Sequence, residues 1–135
     1  MSYSFQRKTE DDLIVISAYL LDPVKGLRYP LSLALDTGAS HTVVDLNMLL
    51  IAGYGNSLQL REDVRVQTAN KIIPADKVIV KELKVLEKAI PNFEITTYDF
   101  LAQDDLLDYD GVLGLDFFAG SRLLIDFIQS EVHLL

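Results

Sequence analysis

An aspartate closes the apolar run Leu31-Ser32-Leu33-Ala34-Leu35-Asp36 and is followed at once by Thr37-Gly38-Ala39-Ser40. An acidic residue at the end of a hydrophobic strand, with a small hydroxyl residue and a glycine after it, holds its carboxylate on a sharp turn where backbone N–H groups can point at it. Such a setting favours a carboxylate that is ionised or shares a proton. The same three residues also suit an ordinary strand-ending Asx turn, and Asp-Thr-Gly alone arises by chance in roughly one chain in sixty of this length. Its company separates the two readings. An apolar strand precedes it, a β-branched segment follows, a hairpin lies in mid-chain, and Val112-Leu113-Gly114 comes roughly 75 residues beyond Gly38.

Other reactive pairings are weaker. Ser40-His41 suggests a serine nucleophile and its base, but neighbours on a strand point to opposite faces, and the chain has no Gly-x-Ser-x-Gly elbow. His41 reads as a surface or interface residue and His133 as part of the last strand. The acidic group Asp104, Asp105, Asp108 and Asp110 misses the spacing of a calcium-binding helix-loop-helix. With Gly111 taken as the sixth position, Leu106 and Phe117 fall on the first and twelfth. A solvated acidic loop is expected there.

Composition narrows the function classes. The 135 residues suit one domain over 1–135, and with half of them apolar the chain can bury a core unaided. There is no cysteine, which removes disulfides, thiolate nucleophiles and cysteine metal sites. A formal charge of −8, with the lysines and arginines dispersed, repels a phosphate backbone, so no nucleic-acid partner is expected. Met1–Glu10 is polar, and the longest apolar stretch, Leu13–Leu21, is too short to span a bilayer. A soluble, cytoplasmic protein without a membrane partner is expected.

The elements that must position Asp36 are short and β-like. Leu13–Leu21, Tyr29–Leu35 and Thr42–Val44 read as strands, and Leu46–Ala52 as a short helix stopped by Gly53 and Gly55. Asp63–Thr68 and Ile72–Val80 form a hairpin with its tip near Asn70. Lys81–Lys88 reads as a further strand and Phe93–Phe100 as another. Gly111-Val112-Leu113-Gly114 leads into a short helix from Leu115 to Gly120, and Leu123–Phe127 pairs with Glu131–Leu134 about Gln129-Ser130. The predicted fold class is all-β, a barrel-like domain with two short helices. The pattern of apolar run, aspartate, glycine and short helix around residue 36 is loosely echoed around residue 111.

As an ordered set of landmarks over Leu13–Leu134, the sequence resembles the retropepsin-like aspartic proteases, the retroviral enzymes and their single-domain relatives. Leu33-Ala34-Leu35-Asp36-Thr37-Gly38-Ala39-Ser40 looks like the active-site strand and loop. Gln67-Thr68-Ala69-Asn70-Lys71 looks like the flap, Gly111-Val112-Leu113-Gly114-Leu115-Asp116 like the segment beside the catalytic loop, and Leu124-Ile125-Asp126-Phe127 like the strand that follows. The resemblance implies hydrolysis of peptide bonds without a metal or organic cofactor. One carboxylate activates water while a second donates a proton to the scissile carbonyl, the two sharing one proton because carboxylates about 3 Å apart cannot both ionise. This chain has one Asp-Thr-Gly, so the second carboxylate is expected from Asp36 of a second copy in a homodimer.

By the same resemblance Asp36, Thr37 and Gly38 are the catalytic residues. Thr37 would lock the two loops together, and Gly38 would let backbone approach the carboxylates and substrate. Ala39, Ser40, Thr68, Ala69, Asn70 and Lys71 would contact the peptide, and Val112, Leu113 and Gly114 would support the loop from beneath. Asp116 and Asp126 are expected to be structural. Two features have consequences, Ala39, which retroviral enzymes commonly share, and the flap, where the chain departs from them. Ala39 stands where pepsin-like sites usually carry a hydroxyl that favours ionisation, which predicts a less acidic optimum. The stretch Val64–Val80 holds no glycine and has Pro74 after the presumed tip, which predicts a stiffer lid. That lid keeps open an alternative, a peptide-binding or assembly module on the same dimeric fold without robust turnover.

Overall fold

A computed structural model of the chain describes residues 2–4, 6–7, 13–55, 61–67, 72–100 and 108–135. In chain order they form β1 (Ser2–Ser4), β2 (Gln6–Arg7), β3 (Ile14–Leu21), β4 (Arg28–Leu35), β5 (Val43–Asp45) and helix α1 (Leu46–Ile51). They continue as β6 (Arg61–Gln67), β7 (Ile72–Val85), β8 (Lys88–Tyr98), β9 (Gly111–Leu113), a 3-10 helix at Leu115–Phe118, β10 (Leu123–Asp126) and β11 (Glu131–Leu134). Period-two alternation decides which faces turn inward. β3 buries Ile14, Ile16, Ala18 and Leu20 and exposes Ser17 and Tyr19, while β4 buries Leu31, Leu33 and Leu35.

Strand pairing closes these faces around one core. β3 pairs antiparallel with β4, β4 parallel with β9, β9 antiparallel with β5, β5 parallel with β8, and β8 antiparallel with β7; β7 returns to β3 through Ala18↔Val85 and Leu20↔Leu83. The result is a closed six-stranded barrel, as the all-β expectation required. Phe117 of the 3-10 helix is fully buried, edge-to-face with Phe93 and Phe118. Beside the barrel lies a three-stranded sheet in the order β1-β11-β10. Among the described residues no helix is long and apolar enough to cross a membrane.

Several expectations are corrected. Lys81–Lys88 is not a strand of its own. β7 runs unbroken to Val85, turns through Leu86 and Glu87, and returns as β8 from Lys88, so β8 begins before Phe93 and ends at Tyr98. Both turn residues have positive φ, the geometry of a tight two-residue hairpin. No glycine or asparagine announces the turn. Leu86 is nevertheless buried in the core, and that burial offsets the strain of a left-handed leucine. The polar N-terminus supplies two strands, β1 pairing with β11 and β2 with β3. The helix expected from Leu115 to Gly120 is one 3-10 turn. Residues 104–107 of the acidic loop and the hairpin tip at Thr68–Lys71 lie outside the described residues, although β6 and β7 pair up to Gln67↔Ile72.

One buried tyrosine ties the helix to the barrel. Tyr54, just after α1, donates its hydroxyl hydrogen to Leu21 O and accepts the Lys81 N–H at 2.9 Å. Burial raises its pKa above the ordinary value of 10.0. Tyr54→Phe leaves the Leu21 carbonyl and the Lys81 N–H without this partner and is expected to cost about 1–3 kcal/mol in urea denaturation. Because the folded state favours the neutral phenol, wild-type stability is also expected to fall as the pH rises above about 10. That share of the loss should be missing in the variant.

Candidate active site

The turn that carries Asp36 is built from its own backbone and from a neighbour distant in sequence. Strand β4 ends at Leu35, opposite Leu113 of β9, and the Asp36 N–H extends this parallel ladder by donating to Leu113 O at 3.1 Å. The chain then reverses, with the Ala39 N–H donating to Asp36 O at 3.1 Å. Inside the turn the Gly38 N–H donates to Asp36 Oδ1 at 2.9 Å. A Cβ at position 38 would lie 3.1 Å from that oxygen, so glycine leaves the carboxylate uncrowded. Asp36, Thr37, Gly38 and Ser40 are exposed and Ala39 is half-buried.

The far side of the turn is gripped by residues 114–116. The Leu115 N–H donates to Ala39 O at 2.9 Å. Thr42 is fully buried; its hydroxyl donates to Asp116 Oδ1 at 2.7 Å and accepts the Gly114 N–H at 3.1 Å, while its own N–H donates to Asp116 Oδ2 at 3.0 Å. Gly114 has no room for a side chain, since a Cβ there would stand 2.6 Å from the His41 carbonyl carbon. Gly111 is tighter still, with a Cβ falling 2.0 Å from Val43 O. Two glycines thus let β9 slide between β4 and β5 and touch the loop.

Of the expected supporting residues, Leu113 and Gly114 contact the turn through backbone, and Val112 pairs with Ala34 and Val43 in the ladders below it. Asp116 and Asp126 have structural partners, Thr42 for the first and the N–H groups of Ile128 and Gln129 for the second. Asp110 corrects the picture of a merely solvated acidic loop. Its carboxylate accepts the Ser32 N–H at 2.8 Å, its N–H donates to Ser32 O at 2.7 Å, and its carbonyl accepts the Asp45 N–H at 2.8 Å. It therefore braces β4 and β5 at the entry to β9. Thr42, expected to open a β-branched strand, instead precedes β5, and the sequence hints at its role only by a hydroxyl residue heading an apolar segment. His41 is exposed. Among the described residues no three His, Cys, Asp or Glu side chains cluster closely enough to hold a metal ion.

A carboxylate presented on an exposed, externally braced turn, on a parallel ladder inside a six-stranded barrel, can be compared with known proteins. The family model described as aspartyl protease matches residues 23–117, a span that includes the turn and β9. The chain belongs to the aspartyl protease family. No curated protein matches it. Its fold is retropepsin-like. A retropepsin-like aspartic protease from Rickettsia conorii superimposes with a TM-score of 0.69 at 18% identity, covering 99% of this chain and 89% of that one. The retroviral protease-like domain of Ddi1 from Leishmania major gives 0.59 at 14% identity, covering 91% and 94%. EIAV protease, solved in complex with the inhibitor HBY-793, gives 0.56 at 15% identity, covering 83% and 90%.

The Thr42 hydroxyl is the link between loop and brace in this member of the family. Thr42→Val keeps the shape but strands the Gly114 N–H and one Asp116 oxygen. Its urea midpoint is expected to drop by the equivalent of about 2–3 kcal/mol, whereas Thr42→Ser should recover most of the loss.

Proposed function

We propose that this chain is an aspartic endopeptidase that works as a homodimer, as one domain over residues 1–135 and in the cytoplasm. The observation that carries the reading is the Asp36 turn, an exposed carboxylate whose backbone is fixed from outside the loop. In the dimer a water lies between the Asp36 carboxylates of the two copies. One takes a proton from it as it attacks the scissile carbonyl, and the other donates a proton to the carbonyl oxygen. Thr37, exposed beside Asp36, bonds across to the other copy's loop and fixes the two carboxylates relative to each other.

The peptide lies along the loop at Gly38, Ala39 and Ser40. Thr68, Ala69, Asn70 and Lys71 close over it as a flap, supported by the paired strands β6 and β7. Val112, Leu113 and Gly114 hold the loop from below. The chemistry needs no metal or organic cofactor. Family membership and the inhibitor-bound EIAV protease among similar folds support peptide as the substrate class. The glycine-free flap stretch favours one second reading, a peptide-binding module with weak turnover.

A diverse peptide library read by mass spectrometry from pH ~4 to ~7.5 tests the proposal. Wild type is expected to cut and Asp36→Asn to lose at least about 10²–10⁴-fold of that activity. If neither protein cuts while both bind peptide, the binding-module reading replaces the endopeptidase. With alanine at position 39, the cleavage profile is expected to peak above pH ~3; a maximum below that value would refute this part of the reading.

A further inference from the structure

Lys88 breaks the pattern of the strand it opens. It stands directly opposite Val85 in the β7–β8 ladder, and opposed residues of an antiparallel pair share a face. Val85 is buried in the core, and the next inward pair, Leu83 and Ile90, packs there too, while Ala89, between Lys88 and Ile90, is exposed. A half-buried ammonium thus lies on the core-facing side of this hairpin. Taking a charge out of water costs free energy unless its donors find partners.

Here the partners are neutral oxygens at the back of the 3-10 helix. Lys88 Nζ donates to Ser121 Oγ at 2.7 Å, to Phe117 O at 3.0 Å and to Ala119 O at 3.4 Å, and it lies 5.4 Å from the centre of the Phe117 ring. The helix is a single turn whose Phe117 N–H reaches Gly114 O only at 3.3 Å, so it depends on contacts from outside. At its front, the Leu115 N–H and the Asp116 carboxylate grip the Asp36 loop through Ala39 and Thr42. At its back, Lys88 holds the carbonyls. The two-residue turn at Leu86-Glu87, with both residues at positive φ, is what starts β8 at Lys88 and brings the ammonium to this place.

We infer that Lys88 is a positioning residue for the Asp36 carboxylate, acting through residues 115–119 and not by touching the substrate. This rests on the endopeptidase reading above and assigns that site a support outside the loop and outside β9. The ammonium anchors the back of the short helix, and the anchored helix presents Leu115 and Asp116 to the loop. Without the ammonium, the Phe117 and Ala119 carbonyls lose a donor and the Phe117 ring loses its cation, so the front of the helix can shift against Ala39 and Thr42. A displacement of about 1 Å at a catalytic group can cost about 10²-fold in rate.

Lys88→Met keeps the aliphatic stem and removes charge and donors, Lys88→Arg restores both, and Lys84→Met on the same hairpin is the control. With folding checked by circular dichroism and assembly by sedimentation, Lys88→Met is expected to lose about 10-fold or more in kcat while KM stays within about 2-fold of wild type. Lys88→Arg should recover most of that loss, and Lys84→Met should show none. Ser121→Ala, which removes one of the three acceptors, is expected to lose less in the same direction, and it decides the matter should Lys88→Met fail to fold. Hydrogen exchange at the Ala39 and Leu115 amides is expected to quicken by about 10-fold or more in Lys88→Met while the β3–β4 ladder keeps its protection. A folded Lys88→Met protein with wild-type kcat, or one whose exchange rises alike throughout the barrel, overturns the inference and leaves Lys88 a general structural role. If the wild type itself cuts no peptide, the endopeptidase reading fails, and exchange at Ala39 and Leu115 alone decides whether Lys88 sets the turn.

Discussion

The turn at Asp36 cannot hold itself, and much of the architecture follows from that. It contains one short backbone reversal and one N–H on the carboxylate. Everything else that fixes it comes from β9 and the turn after it, through Leu113 O, Leu115 N and the Thr42–Asp116–Gly114 junction. For β9 to reach the loop it must lie between β4 and β5, close enough that neither Gly111 nor Gly114 can carry a side chain. Asp110 then ties β4 and β5 together where β9 enters. The barrel serves as a frame that brings two distant segments into register at one carboxylate.

Much of this was legible in the amino-acid order because the physics was local. The alternation in Leu13–Leu21 and Tyr29–Leu35, the aspartate-glycine stop at residues 36–38, the short helix after residue 45 and the final hairpin all follow from side-chain period and turn chemistry. Features fixed by distant partners were not legible. The Leu86-Glu87 turn carries no turn residue, because burial of Leu86 rather than backbone preference sets it. The polar β1 and β2 become strands only because β11 and β3 offer them edges. Asp110 looked solvated because Ser32, its partner, is 78 residues away. Thr42 was hidden for the same reason, 74 residues from Asp116.

Exposure has two meanings on this molecule. Asp36 and Thr37 face outward on a turn held in part by Thr42, Leu113 and Gly114, which are buried behind it. Leu124 faces outward on β10, which among the described residues pairs with another strand on one side only. A reactive group gains from being open to a substrate, whereas an apolar edge gains only from being covered.

The reach of the brace also bears on the order in which the chain can be made. As a polypeptide grows from its N-terminus, residues 36–42 emerge long before residues 113–116, which supply the ladder oxygen, the glycine and the carboxylate that set the turn. Contacts this far apart in sequence form late, since the whole intervening loop must be closed first. A nascent chain of about a hundred residues would carry Asp36 without the geometry to use it. The Asp36 turn is therefore among the last features expected to take its final shape as the chain is made.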